Sequence, residues 1–300
     1  AAPAASGTVL ATPAAKRLAR ELGLDIGAMP RGRRIREADV LAFHAAQAEP
    51  AAGPEPLRAR AQVADQGEPP RDGQAAGTHY AGRRRAVGEN MRESLATTAQ
   101  VTLTTEVGVD AAMEMVDGLN EEWSSEGVVV TLTRLVMKAS ALALRDHPAL
   151  NARLEGDRIV RLPAIDIGIA MDLEVGLVVP VVRGVDALPL KELCQIGREL
   201  TLKGREGSFS LADTEGGTFT VTSLASTVVD AFTPIINPPQ AAILGVGRMR
   251  EVAAFEGQTV ARRRVTTLSL TFDHRLNDGA PAARFLGRVV ELLARPYLLM

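Results

Sequence analysis

"TFDHRLNDGA", residues 271–280, joins two different periodicities. The residues leading into it, "RRVTTLSLTF", alternate apolar and polar side chains as a strand with one buried face does. Behind it, "PAARFLGRVVELLA" opens with Pro281 and places Phe285, Leu286, Val289, Val290 and Leu293 at helical spacing. A strand that passes directly into a helix keeps the backbone rigid while the side chains at the junction project outward, and catalytic groups favour such positions. His274 is one of only four histidines in the chain, and imidazole is the side chain matched to moving a proton near neutral pH. Two readings compete: a catalytic base with a carboxylate, Asp278, four residues on, or a structural histidine followed by an aspartate that caps the helix.

Outward from this junction, the stretch from about His79 to Met300 reads as one mixed unit of helices and strands. Helical patterns cover 83–98, 131–145 and 189–204, and "QVTLTTEVGV" alternates as a strand over 100–109. "AIDIGIAM" and "LVVPVVR" look like neighbouring strands, and "GTFTVTSL", "AAILGVGRM" and "RRVTTLSLTF" supply three more. So many strands in succession predict a mixed sheet flanked by helices and exclude a purely parallel one.

The amino-terminal end is organised differently. "TPAAKRLARELGLD" opens with Thr12 as N-cap and Pro13 at the first helical position and stops at Gly23. "IREADVLAFHAA" supplies a second helix across the loop "GAMPRGRR", giving a mini-domain over 8–44 that is net basic, with Arg17, Arg20, Arg33 and Arg34 among its cations. Such a surplus favours an acidic protein surface as partner. Residues 45–78 are Ala, Pro, Glu, Gln and Gly with almost no large apolar side chain, the composition of an extended linker. The mixed helix-and-strand unit then spans 79–300.

The whole chain carries 34 Lys and Arg against 36 Asp and Glu, a net charge of -2, so no overall field recommends a nucleic acid or an anionic membrane. No apolar run reaches membrane-spanning length, no metal is expected, and Cys194, the single cysteine, sits among Leu190, Leu193 and Gly197 as a core-facing residue. A cytoplasmic setting is the expectation.

"DHRLNDG" resembles the active-site motif of the dihydrolipoamide acyltransferases, the core components of 2-oxoacid dehydrogenase complexes. "IINPPQAAILGVG", "HPALNA", "GLVVPVVR", "GGTFTVTSL" and the terminal "ARPYLLM" are similar to that family in the same order, and residues 8–44 resemble its peripheral subunit-binding domain. The resemblance implies a chloramphenicol acetyltransferase-like fold of the α/β (α+β) class and acyl transfer between coenzyme A and a dihydrolipoyl thiol. It implies His274 as the general base and a hydroxyl in the "FT-x-S/T" strand as the oxyanion donor. Thr222 matches that position with Ser223 beside it, and only one of two successive strand residues can face the substrate. For Asp278 the resemblance implies a role in holding the catalytic loop, by pairing with Arg275 or with one of Arg83 to Arg85. It further implies a homotrimer or a multiple of trimers, with His274 of one subunit meeting Thr222 of its neighbour. The lipoyl group would come from a domain not present in this chain, and the basic mini-domain would bind dihydrolipoyl dehydrogenase or the decarboxylase component. After Leu224 the family usually has a glycine-containing turn, whereas this chain reads "ASTVVDAF", which predicts a different loop and channel wall. A free-standing O- or N-acyltransferase of the same fold, using an acyl-CoA or an acyl-carrier protein, is the first alternative, and a non-catalytic scaffold subunit is the second.

Overall fold

The computed structural model describes residues 11–21, 24, 35–36, 39–40, 79–173 and 176–300. The chain divides into two compact units, Ala1–Pro56 and Leu57–Met300. In the first, α1 (Pro13–Glu21) begins as its sequence dictates. Proline at the first helical position has no N–H to satisfy, and the Thr12 hydroxyl accepts the Ala15 N–H at 3.2 Å. Ala15 and Ala19 turn inward with Ile35 and Val40 to make a small core. Arg17 and Arg20 are exposed on the same helix. Arg33, Arg34, the inter-helix loop and the expected linker lie outside the described residues.

The second unit opens with α2 (Gly82–Thr97), β1 (Gln100–Gly108), α3 (Asp110–Glu122) and α4 (Leu132–Asp146). Short strands follow: β2 (Ala152–Glu155), β3 (Arg158–Arg161), β4 (Ile167–Ile169), β5 (Met171–Leu173), β6 (Gly176–Val178) and β7 (Val181–Val182). Next come α5 (Leu190–Glu206), β8 (Phe219–Ser223), β9 (Ala242–Val246), β10 (Arg250–Glu256), β11 (Thr259–Asp273) and α6 (Gly279–Ala294).

The main sheet runs β1-β11-β9-β8-β4-β7, with β10 beside β11. The β4–β8 and β8–β9 pairs are parallel and the others antiparallel, so the sheet is mixed, as the density of strand signals required. Its two faces differ. Phe219 and Val221 of β8, Leu244 and Val246 of β9, and Leu268, Leu270 and Phe272 of β11 enter one apolar core with α4 and α6. Helix α4 is buried over most of its circumference, which is why its sequence reads as almost continuously apolar. Phe285 of α6 is fully buried, its ring centroid 5.7 Å from that of Phe219. Truncating such a side chain costs about 3–5 kcal/mol.

One lysine interrupts the apolar helix. Lys138 is 5% exposed, and its Nζ donates to the carbonyls of Val185 (3.2 Å), Asp186 (2.8 Å) and Leu188 (2.6 Å). All three ammonium donors are used, tying α4 to the loop between β7 and α5, while burial pushes the lysine pKa down. Cys194 is buried as its spacing predicts, and desolvation raises its thiol pKa to about 11, so it stays protonated at neutral pH.

Candidate active site

Strand β11 delivers His274 at its end, and the next few residues form a tight turn. The Asp273 carbonyl accepts the Leu276 and Asn277 N–H groups at 2.9 and 3.1 Å, and the His274 N–H donates to Ala99 O at 2.8 Å. The Asp273 side chain is 1% exposed. Burial alone would push its carboxyl up, but the Arg275 side chain and the N–H groups of Arg275 and Ala99 outweigh burial and hold it below the usual carboxylate range. Arg275 supplies Nε at 3.0 Å to both oxygens and Nη2 at 2.6 Å. The residues on either side of the histidine therefore grip one another, and the imidazole is left projecting, 46% exposed.

This arrangement corrects the expected partner of Asp278. Arg275 orients the turn through Asp273, because a buried carboxylate left unpaired carries a large desolvation penalty and the guanidinium two residues on can reach it. Arg85 donates instead to Tyr80 O. Asp278 is 84% exposed, with its Oδ1 4.0 Å from His274 Nδ1. It occupies the N-cap position of α6 without a side-chain cap hydrogen bond. No described residue hydrogen-bonds the imidazole, so both ring nitrogens remain available for chemistry.

Thr222 and Ser223 divide as strand alternation demands. The Ser223 hydroxyl is engaged on the helix side, 3.2 Å from Thr133 Oγ1 of α4 and 3.3 Å from the Ala225 N–H. Thr222 faces the other way, and among the described residues its hydroxyl has no hydrogen-bond partner. The loop beyond it closes without glycine. Thr227 N donates to Leu224 O at 2.9 Å, and the Thr227 hydroxyl donates to Leu224 O and accepts the Val229 N–H, so a side chain holds the turn.

The structure does not bring Thr222 and His274 of one chain together. Thr222 pairs with Gly245, and Gly245 pairs with Ser269, five residues before His274. Five residues at about 3.3 Å and two strand spacings of about 4.8 Å leave the two Cα atoms roughly 19 Å apart. A cleft of about 550 Å³ opens at the sheet end that carries His274, between Gly216–Thr218 and Asn237–Gln240, within the size range of ligand pockets.

Residues 74–300 match the family model described as the 2-oxoacid dehydrogenases acyltransferase catalytic domain. The chain belongs to that family. Residues 9–41 of this acyltransferase match the e3 binding domain. It is 35% identical over 294 residues to the dihydrolipoyllysine-residue acetyltransferase component of the acetoin cleaving system of Bacillus subtilis, covering 96% of this chain and 70% of the relative. It is 31% identical to the succinyltransferase component of the 2-oxoglutarate dehydrogenase complex of the same organism, covering 97% and 70%. A solved structure of Azotobacter vinelandii dihydrolipoamide acetyltransferase, studied for the role of a serine, a histidine and an asparagine in its catalytic mechanism, superposes with a TM-score of 0.73 at 32% identity. The match covers 77% of this chain and 98% of that one. A probable dihydrolipoamide acetyltransferase from Listeria monocytogenes gives a TM-score of 0.71 at 32% identity, covering 74% and 95%.

Sequence reasoning passed over Asp273, Asn277 and Lys138. Asn277 is 5% exposed and its Nδ2 donates to Ala149 O at 2.9 Å, pinning the turn to the start of the β2 region. Lys138 carried a signal, a lone cation in "LVMKASALAL". Asp273 carried none beyond its place in the motif. Among the described residues no group of His, Cys, Asp and Glu could hold a metal, and no helix is long and apolar enough to cross a membrane.

Proposed function

We propose that this acyltransferase moves an acyl group between coenzyme A and the thiol of a dihydrolipoyl group, with His274 as general base and Thr222 as oxyanion donor. The observation that carries the reading is the exposed, unpartnered imidazole held at the end of a rigid strand by the Asp273–Arg275 pair. A thiol of pKa about 8.5 is mostly neutral at pH 7, so attack needs a base beside it. His274 Nε2, the nitrogen away from Asp278, takes the thiol proton. The thiolate adds to the thioester carbonyl, and the Thr222 hydroxyl donates to the oxyanion that forms. The carbon–sulfur bond to the departing thiol then breaks, and the imidazolium returns its proton to that sulfur.

In the Azotobacter enzyme the serine stands 52 residues before the histidine and the asparagine four after it. Thr222 and Asp278 stand at the same distances from His274, which favours Thr222 over Ser223, whose hydroxyl is already engaged. The separation of roughly 19 Å between the two groups in one chain requires that a second copy supply the donor, and a closed trimer is the simplest assembly that gives every copy a complete site. The chain would then serve as the core of a 2-oxoacid dehydrogenase complex. Its Arg17 and Arg20 face would help recruit dihydrolipoyl dehydrogenase or the decarboxylase component, and the lipoyl group would arrive on a domain outside this chain.

The test is transfer from acetyl-CoA to dihydrolipoamide. His274→Ala is expected to lower turnover by several orders of magnitude with the oligomer intact, and near-normal activity would reject the base. Thr222→Ala is expected to lose about two to three orders, the usual effect of removing an oxyanion donor.

A further inference from the structure

The link between α2 and β1 is two residues long, Thr98 and Ala99, and Ala99 commits both of its peptide groups to the histidine turn. Its carbonyl accepts the His274 N–H at 2.8 Å, and its N–H donates to Asp273 Oδ1 at 3.1 Å. The place of the imidazole therefore follows the place of Ala99.

One side chain fastens that link on both sides. Gln100, the first residue of β1, reaches back with its amide. Its Nε2 donates to Ser94 Oγ of α2 at 3.0 Å and to Thr98 Oγ1 at 2.8 Å, while its Oε1 accepts the Ile236 N–H at 3.3 Å. The hydroxyls have acceptors of their own, Ser94 Oγ donating to Ile236 O at 2.6 Å and Thr98 Oγ1 to Ser94 O. Both donors and the acceptor of the amide are engaged, and each hydroxyl gives one bond and takes one. A closed network of this kind admits a single arrangement of its members. The last turn of α2, the link and the backbone at Ile236 are thereby set relative to one another.

Gln100 lies across the sheet from the imidazole. Thr102 and Thr271 meet side chain to side chain at 2.8 Å, and alternation along β1 and β11 puts Gln100 and Asp273 on that same face. His274, the residue after Asp273, projects to the other face, its ring centroid 5.8 Å from that of Phe272.

We infer that Gln100 is a positioning residue for the general base, holding His274 through Ala99 without touching a reacting atom. The inference rests on His274 being the base and Thr222 the donor.

Acetyl transfer from acetyl-CoA to dihydrolipoamide is measured on the full chain in its native oligomer. Gln100→Ala is expected to lower kcat by about tenfold to a hundredfold, the effect of displacing a reacting group by about 1 Å, with both KM values within about twofold of wild type. Gln100→Glu keeps the acceptor and loses both donors, so it should show the same split, and it carries the test if the alanine variant does not assemble. Mixed trimers separate a role at the base from general weakening. A Gln100→Ala chain keeps a sound Thr222, so co-expression in equal amounts with Thr222→Ala should restore about a quarter of wild-type turnover. Co-expression with His274→Ala should restore nothing and leave about half the rate of the Gln100→Ala oligomer. Unchanged kcat, a defect confined to KM, rescue by neither partner, or rescue by His274→Ala in place of Thr222→Ala overturns the inference. The pair His274→Ala and Thr222→Ala is the control: if it fails to restore turnover, the shared site is rejected on its own account, whatever the Gln100 variants show.

Discussion

Mixing two dead enzymes should restore a live one. His274 and Thr222 of one chain lie roughly 19 Å apart by strand register, and extended histidine and threonine side chains close less than half of that gap. On the proposed roles of these two residues, each site would draw its base from one copy and its donor from another. When His274→Ala and Thr222→Ala chains are co-expressed in equal amounts and trimerise at random, a site has an intact imidazole half of the time. It has an intact neighbouring hydroxyl half of the time, independently. About a quarter of the sites are then complete, and the mixture should show about 25% of wild-type turnover in a closed trimer. Each variant alone should sit two or more orders of magnitude below wild type. The assay is acetyl transfer from acetyl-CoA to dihydrolipoamide on the unfractionated co-expressed material; purification through a different affinity tag on each variant removes the homotrimers and should raise the figure to about a third, since every mixed trimer holds one complete site in three. Activity no greater than the sum of the two single variants would refute the shared site.

Two further outcomes follow from the buried ionic groups. Lys138→Met removes the donor shared by three carbonyls and should lower unfolding free energy by about 3 kcal/mol, read from the denaturant midpoint at unchanged slope; a loss below about 1 kcal/mol would mean that the cradle is not stabilising. Asp273 has its folded pKa depressed below the unfolded value, so its contribution is present above about pH 4 and is lost as pH falls through the lower folded pKa. The melting-temperature deficit of Asp273→Asn should accordingly be full between pH 6 and 8 and shrink below about pH 4, and a deficit that grows on acidification would contradict the sign.

What the sequence disclosed followed burial. β1, β11, α4 and α6 were legible because each buries one face or nearly all of its surface, and burial writes a period into the chain. α3 was missed because only Ala112, Val116 and Leu119 turn inward from an otherwise polar segment. β10 pairs on one side only and exposes most of its side chains, so "REVAAFE" carries no one-sided pattern. "AIDIGIAM" read as one strand and is two, β4 and β5, which belong to different sheets. In the site, the motif pointed to His274, and the resemblance put the donor at Thr222 with Ser223 beside it, two positions of which alternation lets only one face a substrate. The partner of Arg275 was not legible, because a charge pair within a turn has no period and is decided by side-chain reach and by which carboxylate is dry.

The Asp273–Arg275 pair has a consequence for how this chain can change over generations. Because the two flanking residues secure the bend and the ring between them bonds to nothing, the frame does not depend on what it displays. A duplicated gene could lose the imidazole and still yield a sound building block, one that takes its place among active copies and contributes its hydroxyl to a neighbour.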